Sequence, residues 1–140
     1  MTVSFDEHDT EQNAMIKVVT LLTKKSGMSR QAFVDHYETY HSRIGEKYLS
    51  GYAVKYQRRY VNPLDATEDD SRGLPFDVLM EIWFPDRERM EAAMALITSE
   101  SAQEEIVADE ERLFDRDKIC SFVVDEYESV MPDPAPIGAS

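Results

Sequence analysis

A strand that is apolar on both faces must be covered from both sides, and this chain has such strands without enough helix to cover them. Met15–Lys24 is rich in Ile, Val, Leu and Thr on both faces, which predicts a central strand. Val78–Phe84 alternates Val78, Met80, Ile82 and Phe84 with Leu79, Glu81 and Trp83. A last strand is expected over Ile119–Tyr127, with Phe122 and Val123 on opposite faces. Val54–Val61 sets Tyr56, Arg58 and Tyr60 against Lys55, Gln57 and Arg59, the charged pattern of an edge strand. Helical spacing occurs in Arg30–Gly45, where Phe33, Tyr37, Tyr40 and Ile44 recur, with Ser29 as N-cap. It returns near Arg87, behind Pro85 and the capping Asp86, with Met90, Ala93, Met94 and Ile97 as its stripe. A further acidic helical stretch, Ser101–Leu113, is anchored by Ile106, Leu113 and Phe114.

The resulting order, β-α-β-β-α-β with an extra helical turn before the last strand, is the ferredoxin-like α+β arrangement with an antiparallel sheet. Its helices cover one sheet face. The other face, left wet in a monomer, predicts burial against a second copy, and a C2 homodimer is the commonest solution. Three segments are expected: a mobile arm at 1–13, one domain at 14–128 and a Pro-rich extended or disordered tail at 129–140. The stretch Asn62–Asp77, with its prolines and the acidic run Glu68-Asp69-Asp70, is longer than most strand connections and reads as a functional flap or a floppy insertion.

Charge and composition narrow the partners. Twenty-eight acidic against fifteen basic residues give a net charge of −13, and no basic cluster offsets the repulsion of phosphate backbones or anionic membranes. Nucleic acid and membrane are therefore not expected as partners. Apolar runs such as Val18–Leu22 fall far short of the roughly 20 residues that span a bilayer. The first residues are polar and acidic where a signal peptide is basic and then apolar. Cys120 is the single cysteine, so no internal disulfide can form and a cytoplasmic setting is expected. His8, His36 and His41 include no i, i+4 pair and have no cysteine nearby, so no metal site is expected.

The stretch Ile16–Tyr48 resembles the opening of EthD-domain proteins: Lys25, Gly27, Met28, Ser29, Phe33, Tyr37 and His41 stand at the positions of a linking motif and a helix that ends in a histidine. Asp109–Glu126 looks like the family's closing signature, with Phe114 one place later than usual because Leu113 precedes it. The resemblance covers about residues 15–128 and implies the dimeric α+β barrel superfamily. That group includes proteins of alkyl-ether degradation clusters, fungal polyketide-tailoring enzymes, muconolactone isomerases and small cofactor-free monooxygenases. It implies a cofactor-independent enzyme, a lyase, isomerase, cyclase, decarboxylase or oxygenase. Its substrate would be a small hydrophobic aromatic or polyketide-like compound of catabolism or secondary metabolism. A non-catalytic protein that binds such a ligand for an oxygenase system is the alternative. Fold alone names no reaction.

His41 is the first candidate for catalysis, since an imidazole with a pKa near 6.5 can give or take a proton at neutral pH. Tyr37, also a catalytic candidate, would join Tyr40 and Tyr48 in surrounding it with phenols. A histidine in that place also serves structurally, capping its helix's last carbonyls or bonding a strand carbonyl. His36 is expected at the surface and His8 in the arm. Glu81 is a second catalytic candidate, because a carboxylate on an apolar strand face is costly to bury unless paired or protonated. Arg58 or Arg59 is its expected partner, and an interface salt bridge is its other reading. Tyr40, Tyr48, Tyr56, Arg58, Trp83 and Phe114 are the candidate substrate contacts, the aromatics among them also fitting a core or interface role. Asp115 is expected to cap the turn before the last strand. The acidic run from Gln103 to Asp117 is expected to be a solvated helix face.

Overall fold

The computed structural model describes residues 15–65 and 74–138. The expected arm at 1–13 and most of the acidic part of the 62–77 stretch lie outside the described residues. The four strands are β1 (Ile16–Leu22), β2 (Lys55–Tyr60), β3 (Val78–Phe84) and β4 (Cys120–Val123). They form one sheet in the order β2-β3-β1-β4, antiparallel throughout. This is the α+β, ferredoxin-like arrangement expected from the sequence, and the strand apolar on both faces is central.

The helix after β1 is longer than its periodicity indicates. Ser29 caps it by accepting from the Ala32 N–H at 3.1 Å. It runs as α1 (Arg30–His36), a π-helical turn (Tyr37–His41) and α2 (Ser42–Leu49) without a break. At Leu49–Tyr52 it ends in a type II turn: Tyr52 N–H bonds the Leu49 carbonyl at 3.0 Å, and Gly51 takes the positive φ of 89° that this turn requires. α3 (Arg87–Ile97) is capped by Asp86, which accepts from the Arg89 N–H at 2.8 Å. α4 (Glu100–Leu113) follows and ends at Phe114, whose backbone bridges to Lys24 beyond the end of β1.

Alternation along the strands sets Val18, Thr20 and Leu22 toward the helices together with Met80 and Ile82 of β3 and Tyr56 of β2. The core divides in two. Phe33, Tyr37, Leu113 and Phe114 pack with Leu22 and Val78 at one end, while Leu49, Phe84 and Ala93 pack with Val18 and Ile82 at the other. Edge-to-face contacts run through the first cluster, with Phe33 and Phe114 centroids 5.9 Å apart and Tyr37 and Phe114 5.6 Å apart. The seam between the clusters is where a cavity opens.

One expected boundary shifts. β4 ends at Val123 rather than Tyr127, because the register that pairs Val18 with Val123 leaves only Lys17 and Ile16 of β1 beyond it. From there the chain runs exposed, with Tyr127 and Val130 fully in solvent. Lys17 reaches across to Glu126 at 2.6 Å.

Candidate functional site

The cavity at the seam has a volume of about 270 Å³. Its walls are almost wholly apolar: Ile44, Met80, Ile82, Met94, Ile97 and Ile106 supply much of the surface. The polar groups that reach it are few, namely His41, Tyr37, Tyr48 and Tyr56, the hydroxyls of Thr20 and Ser121, and Glu110. Thr20 and Ser121 face each other across β1 and β4 and are bonded together at 2.8 Å.

His41 is held from behind by Asp109. Its Nδ1 lies 2.8 Å from Asp109 Oδ2, and His36 Nε2 lies 2.8 Å from Asp109 Oδ1. The π turn makes this double grip possible. Its widened backbone bonding, Ser42 N–H to the Tyr37 carbonyl, sets residues five apart above one another, so His36 and His41 address one carboxylate. Asp109 itself is 4% exposed. Burial pushes its carboxyl up, but the hydrogen bonds from His36 and His41 outweigh burial and hold it below the ordinary 3.8. An ionised carboxylate can only accept, so each imidazole donates one N–H to it. For His41 that places the proton on Nδ1 and leaves Nε2 as an acceptor, with no hydrogen bond among the described residues. Burial lowers the His41 pKa below 6.5 and Asp109 opposes that shift without cancelling it, so the ring is neutral at pH 7. Tyr37 and Phe114 hold the ring edgewise, each with its centroid 5.1 Å away.

The phenols belong to the same wall. Tyr37 is fully buried, with its hydroxyl 3.4 Å from that of Tyr56. Burial first, and the neighbouring Tyr56 second, raise Tyr37 well above 10, so it stays protonated; burial likewise raises Tyr56. Tyr56 reaches this position because residue 45 is glycine: a Cβ there would stand 2.7 Å from the Tyr56 hydroxyl oxygen. Glu38, in the π turn, receives Tyr60 Oη at 2.5 Å and Arg58 Nε at 3.0 Å, tying the turn to β2.

The expected site residues divide accordingly. His41, Tyr37, Tyr48, Tyr56 and Phe114 meet at the cavity. Tyr48 does so with its hydroxyl donated to Glu105 at 2.5 Å. The others fall elsewhere. Glu81 and Trp83 alternate onto the opposite sheet face, where Glu81 pairs with Arg59 at 2.6 Å and Trp83 lies between Lys17 at 3.9 Å and Lys55 at 4.0 Å. Glu81 therefore cannot act beside His41. Arg58 is engaged by Glu38 and does not line the cavity, and Tyr40 is 61% exposed, tilted against His36. His36, expected at the surface, is instead the second clamp on Asp109.

Two residues of the acidic run, read as a solvated face, belong to the site: Asp109 and Glu110. The spacing did carry a signal for the first, since Ala102, Ile106, Asp109 and Leu113 form one continuous inward stripe on α4. Among the described residues no group of three or more His, Cys, Asp or Glu side chains is placed to hold a metal ion, and no helix is long and apolar enough to cross a membrane.

A protein-family model described as EthD domain matches residues 25–117. None of the functionally curated proteins compared matches the chain. Among solved structures, an ethyl tert-butyl ether d (EthD) family protein of Bacillus halodurans is 15% identical with a TM-score of 0.55, over 81% of this chain and 99% of that one. A dimeric ferredoxin-like protein of unknown function from Thermobifida fusca is 12% identical with a TM-score of 0.54, over 81% and 92%. The hydroxynitrile lyase of Passiflora edulis is 14% identical with a TM-score of 0.53, over 84% and 99%. At these identities the likenesses show a shared fold.

Proposed function

The chain belongs to the EthD-domain family, and from that premise we propose a cofactor-independent enzyme that moves a proton on a small hydrophobic carbonyl compound, with His41 as the base. One observation carries this reading: a neutral imidazole in an apolar cavity, its Nδ1 fixed by a buried carboxylate and its Nε2 free. Nε2 would take a proton from the carbon beside the carbonyl, and the charge that grows on the ring would be stabilised by Asp109. Tyr37 and Tyr56 stay protonated and supply phenolic donors for an enolate oxygen. The substrate we infer is an aromatic or polyketide-like compound of catabolism or secondary metabolism, and the cavity's apolar lining would accommodate its hydrophobic body. Isomerisation, cyclisation, dehydration, decarboxylation and cofactor-free oxygenation can all begin with this step. The Passiflora protein of the same fold is a hydroxynitrile lyase, which supports catalysis on this scaffold.

Solvent-deuterium exchange at the CH₂ of phenylacetone, followed by proton NMR, tests the reading. Wild type should exchange it at least about 100-fold faster than His41→Ala. Equal rates would overturn the assignment, and binding without exchange would point to the alternative, a ligand-binding accessory protein of an oxygenase system.

We further propose that the protein is a homodimer in the cytoplasm. Leu79, Trp83 and Phe122 lie on the sheet face that the helices leave open, and Phe122 is 41% exposed. Trp83 Nε1 is buried with no hydrogen-bond partner among the described residues. The Thermobifida fusca neighbour is a dimeric ferredoxin-like protein, which supports pairing of two copies.

A further inference from the structure

Glu110 is the one carboxyl among the described residues that lines the cavity, and no lysine or arginine among them does. It follows Asp109 on α4, so the helix that holds His41 from behind also presents a carboxyl to the space His41 faces. We propose that Glu110 is the site's acid, a protonated carboxyl that donates to the oxygen of an uncharged carbonyl substrate while His41 removes the α-proton, so that carboxylate compounds are excluded as substrates. The inference rests on the proton-transfer reading of the same cavity and adds to it a second group and a substrate class.

Burial moves Glu110 toward that state. Burial raises its pKa above 4.5; Arg116 pulls it down and Asp109 pushes it up, with the net shift upward. An anionic ligand would meet no compensating cation, in an apolar space beside the ionised Asp109. The step balances. The Cα–H bond breaks and its proton goes to His41 Nε2, while the bonding pair forms the C=C bond. The C=O π pair moves to oxygen, which takes the Glu110 proton. The products are a neutral enol, an imidazolium and a carboxylate. Return of a solvent-exchanged proton from the imidazolium to the α carbon, with the enol proton returning to Glu110, restores both groups and labels the substrate. In a β,γ-unsaturated carbonyl the imidazolium proton can go instead to the γ carbon, the enol C=C pair shifting to Cα=Cβ and the β,γ π pair taking the proton, which isomerises the substrate.

Phenylacetone and phenylacetate differ by a methyl against an anionic oxygen and so test the substrate class without turnover. At pH 7.5 calorimetry on the wild-type chain should show phenylacetone binding at least about tenfold tighter than phenylacetate. Glu110→Gln keeps a hydrogen-bond donor of the same shape but has no acidic proton to hand over. It should bind phenylacetone within about threefold of wild type and slow its deuterium exchange at least about tenfold. Equal binding of the two compounds, no binding of phenylacetone, or exchange that depends on His41 but not on Glu110 would overturn the proposal. If His41→Ala instead exchanges as fast as wild type, it is the proton-transfer reading itself that fails, whereas the binding preference still reports on the substrate class.

Discussion

At the scale of single residues, the site turns on the two oxygens of Asp109. Each is taken by one imidazole, so replacing the carboxylate disturbs both His36 and His41. Asp109→Asn keeps the shape but removes the charge that orients His41 and stabilises its protonated form. The expected result is a fall in deuterium exchange of about 100-fold or more, with the fold retained. Asp109→Ala removes both acceptors and should lower unfolding free energy by about 3 kcal/mol in urea titrations. Acidity acts through the same pair. Burial holds the folded His41 below 6.5, so under that pH the unfolded chain binds a proton that the folded chain refuses. Stability should therefore decline as pH drops through 6.5. A second loss should follow below 3.8, where the unfolded Asp109 takes up a proton before the folded one does. Urea midpoints at pH 7, 5 and 3 check both windows.

At the scale of elements, the long helix from Arg30 to Leu49 sets the geometry through two local features. One is the absence of a side chain at Gly45, into which Tyr56 packs. Gly45→Ala should gain about 1 kcal/mol of helix propensity and lose about 1–3 kcal/mol to overpacking, because the Tyr56 ring must swing away. The expected outcome is a near-normal melting curve with phenylacetone affinity reduced, a split that thermal denaturation and calorimetry together reveal. The other feature is the π turn, which explains what was legible in the sequence. Helical spacing located Phe33, Tyr37 and His41 correctly on the inward face. It also put His36 to the side, because a spacing of five is not a contact in an ordinary α-helix. Asp109 stayed hidden because it lies among Glu104, Glu105, Glu110 and Glu111, where charge density outweighs its place in the Ala102–Leu113 stripe. Strand alternation was read correctly, yet alternation does not say which face holds the cavity. Hence Glu81 and Trp83, candidate site residues from the sequence, occupy the far side of the sheet from His41.

At the scale of the whole molecule, the sheet separates two tasks. The helix-covered face builds the cavity, and the other face carries Trp83 between two lysines beside Leu79 and Phe122. A charge placed on the second face should affect association without entering the first. Leu79→Glu is expected to convert a dimer to a monomer in light scattering coupled to size exclusion, with His41 and Asp109 undisturbed. A wild-type chain that is monomeric at tens of micromolar would contradict the dimer. The net charge of −13 sets the long-range field, and with no lysine or arginine among the described residues lining the cavity it disfavours anionic ligands.

The proposed chemistry depends on Asp109 presenting His41 to the cavity as a neutral base with a free Nε2. Nitrogen-15 NMR of the histidine rings across pH 4–8 tests it directly. The expected spectrum shows a proton on Nδ1, an unprotonated Nε2 at pH 7 and a His41 midpoint below 6.5. A proton on Nε2 at neutral pH, or a midpoint at or above 6.5, would contradict it.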